Sequence, residues 1–238
     1  MIKALFLILF SISTLSACTK TALMTQIPPV TGSPVAITDT LSYLALGDSY
    51  TIGQSVPEHD AFPYQLAGQL PGHKITGPTI IAQTGWTTQQ LISAIEASNI
   101  GDNTYDIVTL LIGVNDQYRG GSQAGYRAKF AEVLNTAIKF AKGNKARVFV
   151  LSIPDYGVTP FARGDDARIG KEIDEFNDIN REESSRAGVN YIDITPISKE
   201  AAYNKALIAD DGLHPSAIMY GLWVEKLRPV ILGALKNK

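Results

Sequence analysis

One short segment places an acid and a hydroxyl directly after an apolar run. The run Tyr43–Leu46 stops at Gly47, and Asp48 and Ser49 follow at once. A serine hydroxyl becomes an effective nucleophile only when a neighbouring group takes its proton. The segment therefore has two interpretations: Ser49 is a turn residue after a strand, or it is a nucleophile held at the end of that strand.

A histidine is the side chain best suited to act as the base near neutral pH, and the sequence contains only three. Composition places His59 in a polar loop and His73 in an exposed turn. His214 alone follows an acid by three residues, so a single turn can bring the carboxylate of Asp211 to its imidazole. Pro215 keeps His214 out of the helical region and suits the first position of the next helix. The same residues are also typical of an ordinary Asp-Gly turn that precedes a helix.

Three groups could donate hydrogen bonds to the negative charge that develops during acyl transfer. They are the side-chain amide of Asn115, which follows the most apolar segment, and the backbone N–H groups of Gly85 and Ser49. A glycine allows its backbone to approach a ligand closely. Each candidate also has a purely structural explanation, because Asn115-Asp116 is a typical helix start and Gly85 is typical of a turn.

Taken together, these motifs resemble those of a known enzyme family. In chain order they are Gly47-Asp48-Ser49, a glycine after the second strand, Gly113-Val114-Asn115-Asp116, and Asp211-Gly212-Leu213-His214-Pro215. This is the block order of the SGNH hydrolases, also called GDSL esterases and lipases. The resemblance extends from about Tyr43 to Leu235 and so covers nearly the whole predicted domain.

The resemblance implies a role for each candidate residue. Ser49 would be the nucleophile, His214 the base and Asp211 the acid that orients it. The oxyanion hole would consist of the Ser49 and Gly85 N–H groups and the Asn115 side chain. Many family members carry an asparagine shortly before the second-block glycine, whereas Gln83 and Thr84 precede Gly85 here, so the sequence departs from the pattern at that block.

Two missing motifs limit the chemistry. The sequence has no G-x-S-x-G motif, so the strained nucleophile elbow of α/β-hydrolases is not predicted. It has no H-E-x-x-H motif and no paired His/Cys cluster, so we predict neither a metal site nor a cofactor.

The arrangement of apolar segments predicts a three-layer α/β/α sandwich. Strands that are apolar on both faces and alternate with helices indicate a parallel sheet covered on both sides. The predicted strands are Tyr43–Leu46, Thr79–Ala82, Ile107–Ile112, Arg147–Ile153 and Val189–Ile194, and the predicted helices are Phe62–Leu70, Thr88–Ala97, Phe130–Ala141, Ile169–Arg186 and Ile218–Leu235. Five strands suggest a flavodoxin-like sheet of order 2-1-3-4-5 within one domain, residues 41–238. Ligands then bind where the order reverses, beyond the first and third strands.

The amino-terminal segment predicts export and anchoring. Lys3, the apolar run Ala4–Phe10 and small residues before Cys18 are typical of a secretory signal, residues 1–17. Cys18 is the only cysteine, and its position resembles the lipobox of bacterial lipoproteins, in which the cysteine is lipidated; a plain cleaved signal peptide is the alternative. Residues 18–40, rich in Thr, Pro and Ser, are predicted to be a flexible linker. We therefore expect a lipid-anchored protein of the bacterial cell envelope, on the periplasmic or surface side of a membrane.

Composition narrows the class of partner. The chain has 238 residues, is 45% hydrophobic and carries a formal net charge of -2, which is ordinary for a globular protein and not basic enough for nucleic acid. We expect a monomer, and the resemblance to SGNH hydrolases implies that it hydrolyses a carboxylic ester, such as an acetylated glycan, a lysophospholipid or another acyl ester. The alternative is a non-catalytic, lipid-anchored domain of the same fold that binds a ligand or the cell wall.

Several loop residues could shape the binding site. The aromatic residues that follow predicted strands either line a pocket or pack within loops: Tyr50, Trp86, Tyr118, Tyr156 and Phe161. Arg119, close after Asn115, is either a contact for an anionic group or an ordinary surface arginine.

Overall fold

The computed structural model describes residues 39–236, so the predicted signal segment, the predicted lipidation site Cys18 and most of the predicted linker lie outside the described residues. Within that range the chain forms seven strands and eight α-helices. The strands are β1 (Asp39–Leu41), β2 (Tyr43–Asp48), β3 (His73–Ile75), β4 (Thr79–Gln83), β5 (Ile107–Leu111), β6 (Val148–Leu151) and β7 (Asn190–Ile192). The helices are α1 (Ser49–Ile52), α2 (Phe62–Gly68), α3 (Thr88–Ala97), α4 (Val114–Tyr118), α5 (Gln123–Phe140), α6 (Asp166–Ala187), α7 (Thr195–Lys199) and α8 (Ala217–Lys236).

The main sheet has five parallel strands in the order β4-β2-β5-β6-β7. Numbered along the chain within this sheet, the order is 2-1-3-4-5, so the predicted fold class and strand order are confirmed. Strand β2 lies between β4 and β5, with Leu46 level with Ile81 of β4 on one side and with Leu110 of β5 on the other. Every residue of β2, β5 and β6 is buried, which is why these segments are apolar on both faces.

Two groups of helices cover the sheet. Helices α3, α5 and α6 pack side by side, and α2 packs against α8. Crossovers between parallel strands are right-handed, so the connection that runs from β2 outward to β4 lies on the opposite face from those that run back towards β7. Reversal of direction at β2 therefore produces the three layers. Among residues 39–236 no helix is both long and apolar enough to cross a membrane.

A small second sheet was not predicted. Strands β1 and β3 pair in parallel, with Asp39 level with His73 and Leu41 level with Ile75. His73 is therefore a half-buried strand residue, and the prediction of an exposed turn at this position is wrong. The last two residues of the predicted linker, Asp39 and Thr40, also lie in a strand. Strands of three residues are too short to show the alternation by which a strand is recognised in a sequence.

The predicted start of one helix is also wrong, and so is the placement of Pro215 at the first position of another. Helix α5 begins at Gln123 because Ser122 caps it by accepting the Gly125 N–H, and the first residues of α5 face solvent, so no apolar stripe marks them. Helix α8 does not begin at Pro215, which pairs with Ile208 in an isolated bridge. It begins two residues later, after Ser216.

We expect Gly47→Ala to destabilise the fold. A Cβ atom at this position would lie 2.1 Å from the Thr51 hydroxyl and 2.4 Å from the Leu111 carbonyl oxygen, and a backbone oxygen cannot move aside cheaply. The free energy of unfolding should fall by about 2 kcal/mol or more, as measured by urea denaturation. Gly233→Ala is the control: this helical glycine has open space around it, so alanine should be neutral or stabilising there. Equal stability of the two variants would contradict the close approach at Gly47.

Candidate active site

A pocket of about 180 Å³ opens at the carboxyl edge of the main sheet. Residues that follow β2, β4, β5 and β6, together with the loop before α8, form its wall. The lining residues are Ser49, Tyr50, Gln54, Thr84, Gly85, Val114, Asn115, Tyr118, Tyr156, Phe161, Leu213 and His214. Strand order reverses between β2 and β5, the first and third strands of the main sheet along the chain, so the pocket lies at the predicted switch point.

Ser49 is the first residue of helix α1, directly beyond strand β2. The preceding Asp48 caps this helix, because its Oδ1 accepts the Tyr50 N–H at 3.0 Å. The N–H groups at the start of a helix have no acceptor within it, so the Ser49 N–H is available for another partner. The chain thus places the hydroxyl and a backbone donor of one residue at the end of a buried strand.

His214 and Asp211 form a hydrogen-bonded pair. Asp211 Oδ2 lies 2.6 Å from His214 Nδ1, and Asp211 Oδ1 accepts the backbone N–H groups of Leu213 and His214, each at 2.9 Å. His214 is buried, and its ring packs 5.3 Å from the ring of Tyr50. The three-residue spacing therefore brings the Asp211 carboxylate to the His214 imidazole within a single turn. The Asp-Gly turn and the hydrogen-bonded pair are parts of the same loop.

The acid of this pair is partly exposed to solvent. The Asp211 side chain is 28% exposed and is held by hydrogen bonds. Partial burial acts to raise the pKa of Asp211, but hydrogen bonds from Ser55, from the His214 ring and from two backbone N–H groups outweigh it and hold that pKa well below the usual range. Asp211 is therefore a carboxylate across the physiological pH range.

Ser49 and His214 line the same pocket but are not joined. Among the hydrogen bonds within residues 39–236, none connects the Ser49 hydroxyl to the His214 ring. Because Nδ1 of His214 is occupied by Asp211, Nε2 is the ring nitrogen left for the pocket. Catalytic hydrogen bonds are often long or poorly aligned in unliganded enzymes, so this arrangement is compatible with a nucleophile and its base.

Gly85 occupies a tight turn after β4. The Gln83 carbonyl accepts the Trp86 N–H at 3.2 Å, and Gly85 has a φ of +79°, a left-handed conformation that glycine adopts without strain. Arg119 donates to the Gly85 carbonyl at 2.7 Å. Arg119, directly after the end of α4, thus holds this turn in place, a role that neither of the two interpretations of this arginine included.

Asn115 lies in the first turn of α4, beyond β5. Its Nδ2 donates to the Trp86 carbonyl at 3.0 Å, which uses one of its two amide protons and leaves the other for a ligand. Its neighbour Asp116 accepts the N–H and the hydroxyl of Thr88, at 2.8 and 3.0 Å. Helix α4 therefore fixes the Gly85 turn and the start of α3 together.

Aromatic side chains form one wall of the pocket. The rings of Tyr118, Tyr156 and Phe161 lie 6.0–6.2 Å from one another, within the range of favourable aromatic contacts. Tyr118 and Phe161 are 59% and 43% exposed, while Tyr156 is buried beneath them. Trp86 is not a lining residue and packs against the core instead.

Three polar residues at the site were missed by the sequence analysis. Gln54 and Thr84 line the pocket and are hydrogen-bonded to each other at 2.6 Å. Ser55 donates to Asp211 Oδ2, also at 2.6 Å, across 156 positions of sequence. None of them belongs to a motif, and only the folded chain brings them to the site. Within residues 39–236 no group of three or more His, Cys, Asp and Glu side chains could hold a metal ion.

The fold and the pocket together define the class of protein: a three-layer α/β domain that carries a serine, a histidine–aspartate pair and a glycine turn at the carboxyl edge of its sheet. The model of the GDSL-like lipase/acylhydrolase family matches residues 45–222, and the chain belongs to this family. It is therefore a carboxylic ester hydrolase by class. None of the curated proteins matches the chain.

Solved structures share the fold at low sequence identity. The acetylxylan esterase Axe2 from Geobacillus stearothermophilus is 16% identical, with a TM-score of 0.62 over 83% of this chain and 96% of that one. The psychrotrophic esterase EstA from Pseudoalteromonas sp. is 15% identical, with a TM-score of 0.61 over 84% and 99%. The lipase/acylhydrolase from Enterococcus faecalis is 19% identical, with a TM-score of 0.59 over 82% and 95%.

We expect Asp48 to make the stability of the fold decrease as pH rises. Burial raises the pKa of Asp48 to about 8 and the nearby Asp116 carboxylate adds to the rise, against the lowering effect of the Tyr50 N–H. The folded chain then keeps a proton that the unfolded chain releases near pH 4, so stability is lost between about pH 4 and pH 8, by at most about 1.4 kcal/mol per unit. Asp48→Asn keeps the acceptor for Tyr50 and should gain on the wild type across this range in urea denaturation.

Asp106→Asn is the control for that measurement. Partial burial acts to raise the pKa of Asp106, but hydrogen bonds from Ser42 outweigh it and lower this pKa. Asp106 is then ionised in both folded and unfolded chains above about pH 5, so its replacement should change stability by a constant amount from pH 5 to 8. A constant offset for Asp48→Asn as well would show that Asp48 does not titrate in this range.

Proposed function

We propose that this protein is a serine esterase in which Ser49 attacks the ester and His214, oriented by Asp211, acts as the base. The observation that carries the proposal is the 2.6 Å hydrogen bond between His214 and Asp211 beside a pocket that Ser49 also lines. A carboxylate on Nδ1 fixes the tautomer in which Nε2 can accept a proton and stabilises the imidazolium that forms.

The proposed reaction has two halves. Ser49 Oγ bonds to the carbonyl carbon of the ester while its proton passes to His214 Nε2, and the carbonyl oxygen becomes an oxyanion. The intermediate collapses as the bond to the alcohol breaks, and His214 returns the proton to the departing alcohol. Water then attacks the acyl-serine by the same route, which releases the carboxylic acid and restores the Ser49 hydroxyl.

We assign the oxyanion to three donors: the Ser49 N–H, the Gly85 N–H and the remaining amide proton of Asn115. Two contacts support this assignment, because Asn115 and Arg119 donate to the carbonyls of Trp86 and Gly85 and so hold the turn in place. Donors held in advance stabilise developing charge without the cost of reorganising during the reaction.

The pocket favours an ester with an apolar portion. Its volume of about 180 Å³ limits the group that it can enclose, and the exposed rings of Tyr118 and Phe161 offer an apolar surface at its mouth. We propose an acetylated glycan, a lysophospholipid or another acyl ester as substrate. Axe2 is named an acetylxylan esterase and the Enterococcus protein a lipase/acylhydrolase, which supports both sugar and lipid esters as candidate substrates.

We expect Ser49→Ala to abolish turnover of a short nitrophenyl ester by the full-length protein, with a loss on the order of 10⁶ in kcat. Retention of activity in Ser49→Ala would overturn the proposed nucleophile. Absence of activity in the wild type, on this ester and on a panel of acetylated glycans and lysophospholipids, would favour the non-catalytic alternative.

Asn115→Ala should lower kcat by about 10²–10³ while the protein stays folded, because one oxyanion donor is lost.

We further propose that Cys18 is lipidated and holds the protein at a membrane of the cell envelope. The support is the sequence alone, a signal-like segment that ends in small residues before the only cysteine. Several acyl chains on one residue give firm anchoring, whereas one chain binds only marginally. Cys18→Ala should move the protein from the membrane pellet to the soluble fraction, and an unchanged distribution would contradict lipidation.

A further inference from the structure

Ser55 has an unusual backbone conformation beside the candidate site. Its φ is +69°, and among the described residues only Lys142 and Arg163 share a positive φ without being glycine. Such a conformation costs energy for serine and persists only where surrounding contacts impose it. Residues of this kind cluster at functional sites, so the contacts that impose it are informative.

The segment 53–56 is attached to the nucleophile and to the Gly85 turn. The N–H groups of Gly53 and Gln54 both donate to the carbonyl oxygen of Ser49. The Gln54 side chain accepts the Thr84 hydroxyl at 2.6 Å, and Thr84 immediately precedes Gly85. The position of Ser55 is therefore fixed by two parts of the proposed active site.

The Ser55 hydroxyl contacts the third part, the acid. It donates to Asp211 Oδ2 at 2.6 Å, and this is the same oxygen that lies 2.6 Å from His214 Nδ1. The other oxygen, Oδ1, accepts the two backbone N–H groups of the turn. Because the Asp211 side chain is 28% exposed, water would compete for Oδ2 if the hydroxyl were absent.

We infer that Ser55 is a positioning residue that holds the Asp211 carboxylate in the orientation that accepts the hydrogen bond from His214 Nδ1–H. This inference rests on the proposed function, since it assigns Ser55 to the same catalytic set. Ser55 is not a lining residue of the pocket and acts through Asp211. In this protein the Ser55 hydroxyl holds a carboxylate that burial alone does not immobilise.

Two variants separate the hydroxyl from the backbone conformation. Ser55→Ala removes the hydroxyl and keeps a side chain at positive φ, whereas Ser55→Gly removes the hydroxyl and also relieves the strain. We expect both to lower kcat of the full-length protein on the nitrophenyl ester by about 10- to 100-fold, with KM little changed. Ser55→Gly should be at least as resistant to urea as Ser55→Ala.

The two variants also show what would overturn the inference. If Ser55 only maintains the loop, Ser55→Gly should recover activity along with stability, and wild-type kcat in either variant contradicts a positioning role. Ser42→Ala is the matched control, because Ser42 also donates its hydroxyl to an aspartate, Asp106, at 2.8 Å, but at the opposite end of β2. Its kcat should equal that of the wild type.

A second measurement does not depend on turnover. The His214 Nδ1 proton, assigned by its loss in His214→Gln, should give a downfield proton NMR signal in the wild type, in Ser42→Ala and in Ser49→Ala. We expect this signal to be lost to exchange with water in both Ser55 variants, and its survival at full intensity would overturn the inference. Failure of the esterase proposal would instead show as unchanged turnover in Ser49→Ala, with the NMR comparison unaffected.

Discussion

Strands β2 and β5 lie side by side in parallel, with Gly47 level with Leu111, and this pairing decides where the chemistry can occur. The strands approach so closely here that a side chain at position 47 would meet the Leu111 carbonyl. Parallel neighbours end at the same edge of a sheet, so the residues that follow them, Ser49 and Asn115, reach one pocket although 66 positions separate them. The other lining residues are supplied to this edge by the loops around it.

Much of this architecture was predictable because it follows from local patterns in the sequence, such as apolar runs and the spacing of neighbouring residues. The segments of β2 and β5 are apolar at almost every position, apart from Asp48 and Thr109, which indicates burial on both faces. The spacing of Asp211 and His214 confines their pairing to a single turn. The contact between Ser55 and Asp211 leaves no such trace, because a lone hydroxyl meets a carboxylate 156 positions away. Strands β1 and β3 were missed for a related reason, since three residues carry no periodicity.

At Gly85 and Asn115, a structural role and a proposed catalytic role coincide. Gly85 had two interpretations, a turn residue or an oxyanion donor, and Asn115 likewise was a helix start or a donor. Gly85 does form a turn and Asn115 does lie in the first turn of α4. Those structural roles place both residues at the pocket, and the amide of Asn115 also holds the turn through Trp86. Structure and proposed chemistry therefore use the same atoms, and neither excludes the other.

The small sheet of β1 and β3 marks the place where the polypeptide enters the domain. Strand β1 leads directly into β2, so the polypeptide joins the domain at the amino end of the central strand, whereas the pocket opens beyond its carboxyl end. The six residues of β2 separate these two points by about 16 Å. The point where the polypeptide enters the domain and the mouth of the pocket therefore lie at opposite ends of the central strand.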